Sequence, residues 1–421
     1  MANAKVKILR GNIVYAKSDK ELQEINAGYV VIRDGVIDGV YSQLPTQYQD
    51  VVVEDFQNDV IIPAFSDLHV HAPQYPQRGL AMDKILAEWL DQYTFPLEEK
   101  YANLDFATQV YDSFCDDLIA NGTFHVAIYG TIHTEATSHL IERLEKKGLY
   151  AYVGKVNMDQ NCPDGLKETV EDSLLETERF LQKYASNVTA KPILTPRFAP
   201  TCTQKLLCGL GKLAQKYQVG VQTHLVESLW EAQEAKRLFP DVECDTEIYE
   251  KAGLLGYGPF IGGHFIFPSN KDVEILKKYN GIAVHCPDAT VNVIAGIMPF
   301  ATLASQGVKI GLGSDIAAGH NLGIYTQVAK TVQLSKIKSF YEEGHSPVSF
   351  AQAFYHATKV GGALFGKVGS IEQGYEANLL VVKNTSDHYQ KLSPIQSVER
   401  FCHVGQPNQI VARFLRGEKI Q

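Results

Sequence analysis

Eight short apolar runs, each followed by a longer amphipathic stretch, limit this chain more than any other feature. The runs are VIIPAFSDLHV, TFHVAIYG, LYAYVGKV, PILTPRF, VGVQTHL, FIGGHF, GIAVHC and VKIGLGSD. Between them lie helix-like segments such as 102–120, 167–184, 204–217 and 229–238. Apolar runs of that length, separated by helices, read as parallel strands buried on both faces. Eight such alternations over about 300 residues predict an α/β chain closed as a (β/α)8 TIM-like barrel rather than an open sheet.

The two ends read differently. VKILRGNIVYA, GYVVIRDGVIDGVY and VVVEDF near the start, and SIEQGYEANLLVVK and QIVARFLRGEKI near the finish, are short β-like runs punctuated by Gly and Asp. The simplest account is one small β-sandwich domain composed of both termini, residues 1–62 and 369–421, beside a barrel of 63–368. A total of 421 residues suffices for two such units.

Charge narrows the partners. A net charge of −9 with no offsetting basic stripe argues against a nucleic-acid ligand. The seven cysteines are scattered without a C-x-x-C, and the N-terminus MANAKVKILRGNIVYA has no apolar leader. No run approaches membrane-spanning length, so the expectation is a reduced, cytoplasmic protein with no membrane partner.

In a barrel of this kind reactive groups gather where the strands end. Those ends carry His69 and His71 on the first strand, Arg197 on the fourth, His224 on the fifth, His264 on the sixth, His285 on the seventh and Asp315 on the eighth. Residues i and i+2 of a strand share a face, which turns His69 and His71 the same way. Alone, an H-x-H pair is as readily structural, Glu227 in QTHLVES a helix-start glutamate, and Asp315 in GLGSD an N-cap. Together, imidazoles and a carboxylate at successive strand ends read as a catalytic zinc or iron set with a position open to water. Glu227, three residues past His224, can then carry protons between water and substrate, while Asp315 combines coordination with base work.

These residues resemble the amidohydrolase superfamily and, within it, the guanine deaminases. DLHVHAPQY followed by AEWLDQYTFPLEE, then PRFAPTC and QTHLVES, carry the likeness, and HCP and GSD extend it over essentially the whole chain. The resemblance implies one Zn2+ held by His69, His71, His224 and Asp315, with Fe2+ or Mn2+ suited to the same ligands. It implies Glu227 as proton shuttle, His264 beside the reacting centre, and Gln74, Arg197 and Phe198 against a purine. An amide and a guanidinium suit the edge of guanine, and an aromatic ring suits its face. The segment 83–96, with Trp89, Tyr93 and Phe95, reads either as a cover over that site or as ordinary helix packing.

Binuclear relatives bridge their metals with a lysine on the fourth strand; PILTPRF has none near its end, which favours a single metal. The implied reaction is hydrolysis of guanine to xanthine and ammonia by a homodimer. The alternatives are deamination of another aminopurine, cytosine or an aminotriazine, or a catalytically inactive structural relative. HCPDATVN, with Asp288 and Thr290, and the phenylalanines after His264 depart from the pattern and leave the fine pocket shape and the role of His285 open.

Overall fold

A computed structural model describes residues 5–386 and 389–420; the first four residues of the N-terminal stretch quoted above lie outside the described residues. The chain opens with β1 (Val6–Ala16), β2 (Leu22–Arg33), β3 (Val36–Tyr41) and β4 (Val53–Pro63). The barrel strands follow as β5 (Phe65–His71), β6 (Thr123–Tyr129), β7 (Tyr150–Gly154) with β8 (Val156–Asn157), and β9 (Ala190–Pro192) with β10 (Thr195–Pro196). They continue as β11 (Val221–Leu225), β12 (Phe260–His264), β13 (Ile282–His285) and β14 (Lys309–Leu312). The chain ends in β15 (Leu379–Val382), β16 (Ile410–Leu415) and β17 (Glu418–Lys419).

The first four and last three strands form one sheet in the order β17-β16-β15-β4-β1-β2-β3. Its β3 edge returns to the segment before β15, where Ile37 N–H donates to Tyr375 O at 2.8 Å and Ala377 N–H to Gly35 O at 2.8 Å. The sheet therefore curls around its own core of Leu9, Ile13, Val30, Ile61, Leu379 and Phe414. Its other face, including Val14, Val60, Ile62 and Leu380, packs into the barrel core. Arg413 on β16 donates to the carbonyls of Ile119 and Ala120 at the end of the helix Leu104–Ala120, tying sheet to barrel.

The run VIIPAFSDLHV reads as one strand but is divided in the structure. Pro63, which has no N–H for a ladder, is the last residue of β4, and Ala64 N–H bonds Asn378 O while Phe65 N–H bonds Gly122 O. The chain changes sheet at that point.

The barrel strands are parallel, and β5, β6, β11, β12 and β13 are buried along their whole length. Two four-stranded arcs, β5-β6-β7-β9 and β11-β12-β13-β14, meet where Leu194 N–H donates to Gly220 O and Gln222 N–H to Leu194 O. The ring is completed by Asp315 N–H to His69 O at 2.8 Å and His71 N–H to Ile316 O at 3.3 Å. The fold is a (β/α)8 barrel with a small β-domain. Several of its helices begin on side-chain caps, such as Ser269 with Asp272 in a reciprocal capping box ahead of Asn270–Lys278. Among the described residues no helix is long and apolar enough to cross a membrane.

Candidate active site

The barrel closure brings the two ends of the metal pattern together. His69 Nε2 and His71 Nε2 lie 3.4 and 3.5 Å from Asp315 Oδ1, and His71 Nε2 lies 3.1 Å from His224 Nε2. The His69 ring centroid is 4.8 Å from that of His224 and 4.9 Å from that of His264. Four imidazoles and one carboxylate thus converge from β5, β11, β12 and the loop after β14. His285, at the end of β13, is buried against the ring of Phe300 at 5.6 Å and does not line the cavity beside this cluster.

Backbone placement enforces the convergence. Asp67, two residues before His69 on the same strand face, accepts from Ser314 N–H at 3.0 Å and His69 N–H at 3.2 Å, and also from the Ser314 hydroxyl. It therefore joins β5, which carries His69, to the loop after β14, which carries Asp315. Gly263 leaves room for the first histidine, since a Cβ there would stand 2.6 Å from the His69 ring. His224 Nδ1 is 2.7 Å from Arg197 O, a contact that needs the proton on Nδ1 and leaves the Nε2 lone pair for the cluster.

Electrostatics suit a cation. Burial, with smaller contributions from neighbouring positive groups, pushes His69 down to about 3 and drives His71, His224 and His264 well below the ordinary imidazole range, so all four are neutral ligand-type rings. Burial drives Asp315 well above the usual carboxylate range. Burial, then the Asp315 carboxylate, pushes Glu227 up to about 8, against the pull of Arg197. The nearby guanidinium of Arg197 is already matched by Glu98. Both ring nitrogens of His69 and of His264 are buried without hydrogen-bond partners. Orphaned neutral imidazoles around an uncompensated buried carboxylate fit a divalent metal, three nitrogens and one oxygen being a zinc-type donor set. Overlapping triads of these donors, His69–His71–Asp315 and His69–His224–His264, lie close enough to share one ion.

Above the cluster opens a cavity of ≈ 510 Å³. Its floor contains His71, His224, Glu227, His264 and Asp315, and one wall carries Gln74 and Arg197. Glu227 Oε1 lies 3.7 Å from His264 Nε2, which lies 3.8 Å from Asp315 Oδ2. The wall is organised by Glu98. It accepts from Arg197 Nη1 at 2.6 Å, Arg197 Nη2 at 3.1 Å and Gln74 Nε2 at 3.0 Å. Gln74 Oε1 in turn accepts from Ala317 N–H at 3.2 Å. The amide and guanidinium are therefore held rigid with donors to spare.

Phe198 lines the cavity, its ring 6.2 Å from His224 and 6.3 Å from Trp230. The 83–96 segment forms a short helix Leu86–Trp89, a wide turn Leu90–Thr94 and a helix Phe95–Glu99. Ile85, Leu86, Trp89, Leu90 and Phe95 line the cavity, whereas Tyr93 is partly exposed outside it.

Sequence reasoning did not single out Asp67 or Glu98. Strand alternation flags Asp67, which shares the face of His69 and His71. Glu98 sits in the quoted AEWLDQYTFPLEE, but its partner Arg197 is 99 residues away and no local spacing reveals the pair.

Comparison with known proteins agrees with this geometry. The Amidohydrolase family model matches residues 60–416. A guanine deaminase from Dictyostelium discoideum is 30% identical, the match covering 100% of this chain and 99% of the relative. One from Mus musculus is 31% identical over 86% of this chain and 83% of its own length. A crystal structure of guanine deaminase from C. acetobutylicum with guanine bound in the active site superposes with a TM-score of 0.95 at 40% identity, covering 99% of this chain and 100% of that one. With a match to the family model spanning both the barrel and the returning β-strands, the chain belongs to the amidohydrolase family.

Proposed function

We propose that the chain catalyses the hydrolytic deamination of guanine to xanthine and ammonia, using one zinc ion held by His69, His71, His224 and Asp315. The observation that carries this proposal is that Arg197 and Gln74, both held by the buried carboxylate of Glu98, line the same cavity as the His/Asp cluster and Glu227. The similarity to a structure with guanine bound supports it. The same ligands suit iron or manganese, and zinc is favoured by the donor set. A single ion is favoured because the only lysine of the fourth barrel strand, Lys191, is exposed at its start, away from the cluster.

A divalent ion in that site supplies the Lewis acid that makes water nucleophilic at neutral pH. Arg197 and Gln74 hold the purine edge and Phe198 its face, fixing carbon 2 over the floor. Glu227, raised by burial to about 8, is protonated at pH 7 and donates to ring nitrogen 3 as water adds to carbon 2. Asp315, which a bound cation would keep ionised despite its burial, takes the proton of the attacking water and passes it to the amine, which leaves as ammonia. The remaining hydroxyl proton returns to Glu227, so the carboxyls end as they began. His264, facing both carboxyls, lies beside the developing oxygen. Trp89 and the apolar rim exclude bulk water from these transfers.

The test is metal analysis together with ammonia release from guanine, other aminopurines, cytosine and aminotriazines. Guanine turnover with one bound metal supports the proposal; preference for another heterocycle reassigns the substrate, and neither metal nor ammonia leaves a structural role. Glu227→Gln is expected to keep the metal and lose about 10²–10⁴-fold in kcat. A homodimer and a cytoplasmic location belong to the same proposal. The seven free cysteines support a reducing compartment, and light scattering reads the oligomer directly.

A further inference from the structure

Beside Glu227 lies a second group of buried acids that the proposed chemistry does not use, one of which, Glu231, also borders the cavity. The turn leaving β11 has an unusual backbone: Val226, a β-branched residue, has φ +46°. Two side chains hold its N–H groups. Val226 N–H donates to Asp245 Oδ2 at 3.2 Å and Glu227 N–H to Glu231 Oε2 at 2.6 Å. From the other side, Ile266 and Phe267 N–H groups donate to Val226 O at 3.1 and 3.2 Å. Glu231 and Asp245 are 1% and 5% exposed.

Each acid has one oxygen committed to the turn and one, Glu231 Oε1 and Asp245 Oδ1, buried with no donor. Because they hold consecutive N–H groups of one turn, the two carboxyls are neighbours, and each raises the cost of ionising the other. The ionisable groups facing them are Glu227 and Asp272, both acidic, and the phenol of Tyr249. Two adjacent carboxylates in such surroundings do not both ionise. Burial first, and then the acidic neighbours, push both upward. One proton between the two orphaned oxygens satisfies both at once.

We propose that Asp245 and Glu231 share one proton as an O–H···O pair, and that this pair is a positioning device that clamps the Val226–Glu227 turn and aims the Glu227 carboxyl into the cavity. Asp245 is the donor, because it accepts from the Val226 N–H alone, whereas Glu231 faces the N–H groups of Val226, Glu227 and Ser228 and is the better held as the carboxylate. The inference rests on the shuttle role proposed for Glu227.

The test compares Asp245→Ala and Asp245→Asn in the metal-loaded protein. Asp245→Ala frees the turn and is expected to lower kcat by about 10- to 100-fold, the scale of a misplaced catalytic group, with KM and metal content unchanged. Asp245→Asn restores most of that loss, since its amide N–H replaces the O–H and its oxygen still accepts from Val226. An infrared difference spectrum, wild type minus Asp245→Asn, is expected to contain the C=O band of a neutral carboxylic acid at pH 7.

Wild-type kcat in Asp245→Ala refutes the positioning role. A missing neutral-acid band, or Asp245→Asn as impaired as Asp245→Ala, refutes the shared proton. If Asp245→Ala does not fold, Glu231→Ala takes its place in the kinetic arm, and the infrared arm stands on Asp245→Asn alone. Absence of ammonia release from guanine by wild type, with the band present, overturns the proposed reaction and leaves the acid pair standing.

Discussion

Glu98→Gln isolates the wall from the metal cluster. Glu98 is 2% exposed and Arg197 4% exposed, and they meet through two hydrogen bonds, with Gln74 as a third donor on the same carboxylate. Glutamine preserves volume and one acceptor, but it removes the negative charge and turns an N–H2 toward a guanidinium that has only donors to offer. Removing one partner of a buried ion pair costs about 3–5 kcal/mol, because the other charge stays buried. If half of that falls on the transition-state complex, about 1.5–2.5 kcal/mol, kcat/KM for guanine drops about 10- to 70-fold. The remainder appears as a lower thermal unfolding midpoint. Metal content is expected to stay at the wild-type level, since neither wall side chain is among the proposed ligands. Steady-state ammonia release, differential scanning calorimetry and elemental analysis on the same preparation read all three quantities. Wild-type kcat/KM together with an unshifted midpoint refutes the idea that Glu98 organises the wall.

Two further outcomes follow from the geometry. Gly263→Ala drives a methyl into the His69 ring, so metal affinity is expected to fall about 10- to 100-fold, as for a disturbed support of a ligand; a metal titration with wild-type affinity contradicts it. Glu227 is protonated below about 8 and ionised above it, so kcat/KM is expected to decline as pH rises through that value, and an alkaline limb unchanged in Glu227→Gln assigns the loss to another group.

Strand period and strand-end chemistry carried most of the architecture. His69 and His71 were legible because alternation puts them on one face, and His224 and Asp315 because each closes an apolar run. Counting strand ends also drew in His285, which the structure turns toward Phe300, since a position at a strand end does not fix which way its side chain points. The domain bound between 62 and 63 falls inside the run VIIPAFSDLHV, yet the run reads as one strand because both sheets demand the same buried apolar residues on either side of Ala64. Glu98, Glu231 and Asp245 escaped for a different reason. Each acts through a hydrogen bond to a group whose geometry exists only in the folded chain, and an isolated acid in a helix-like stretch reads as solvated surface.

Recognition of the purine carbonyl by Arg197 and Gln74 is the step on which the proposed specificity depends. Guanine and 2-aminopurine carry the same amine on carbon 2, but only guanine carries the carbonyl that Arg197 and Gln74 are proposed to hold. With metal-loaded protein, guanine is expected to yield xanthine and ammonia in equal amounts. Loss of that oxygen leaves buried donors unpaired, and kcat/KM for 2-aminopurine is expected to be lower by at least about 10²-fold. Equal kcat/KM for the two purines, or no xanthine from guanine, contradicts the account.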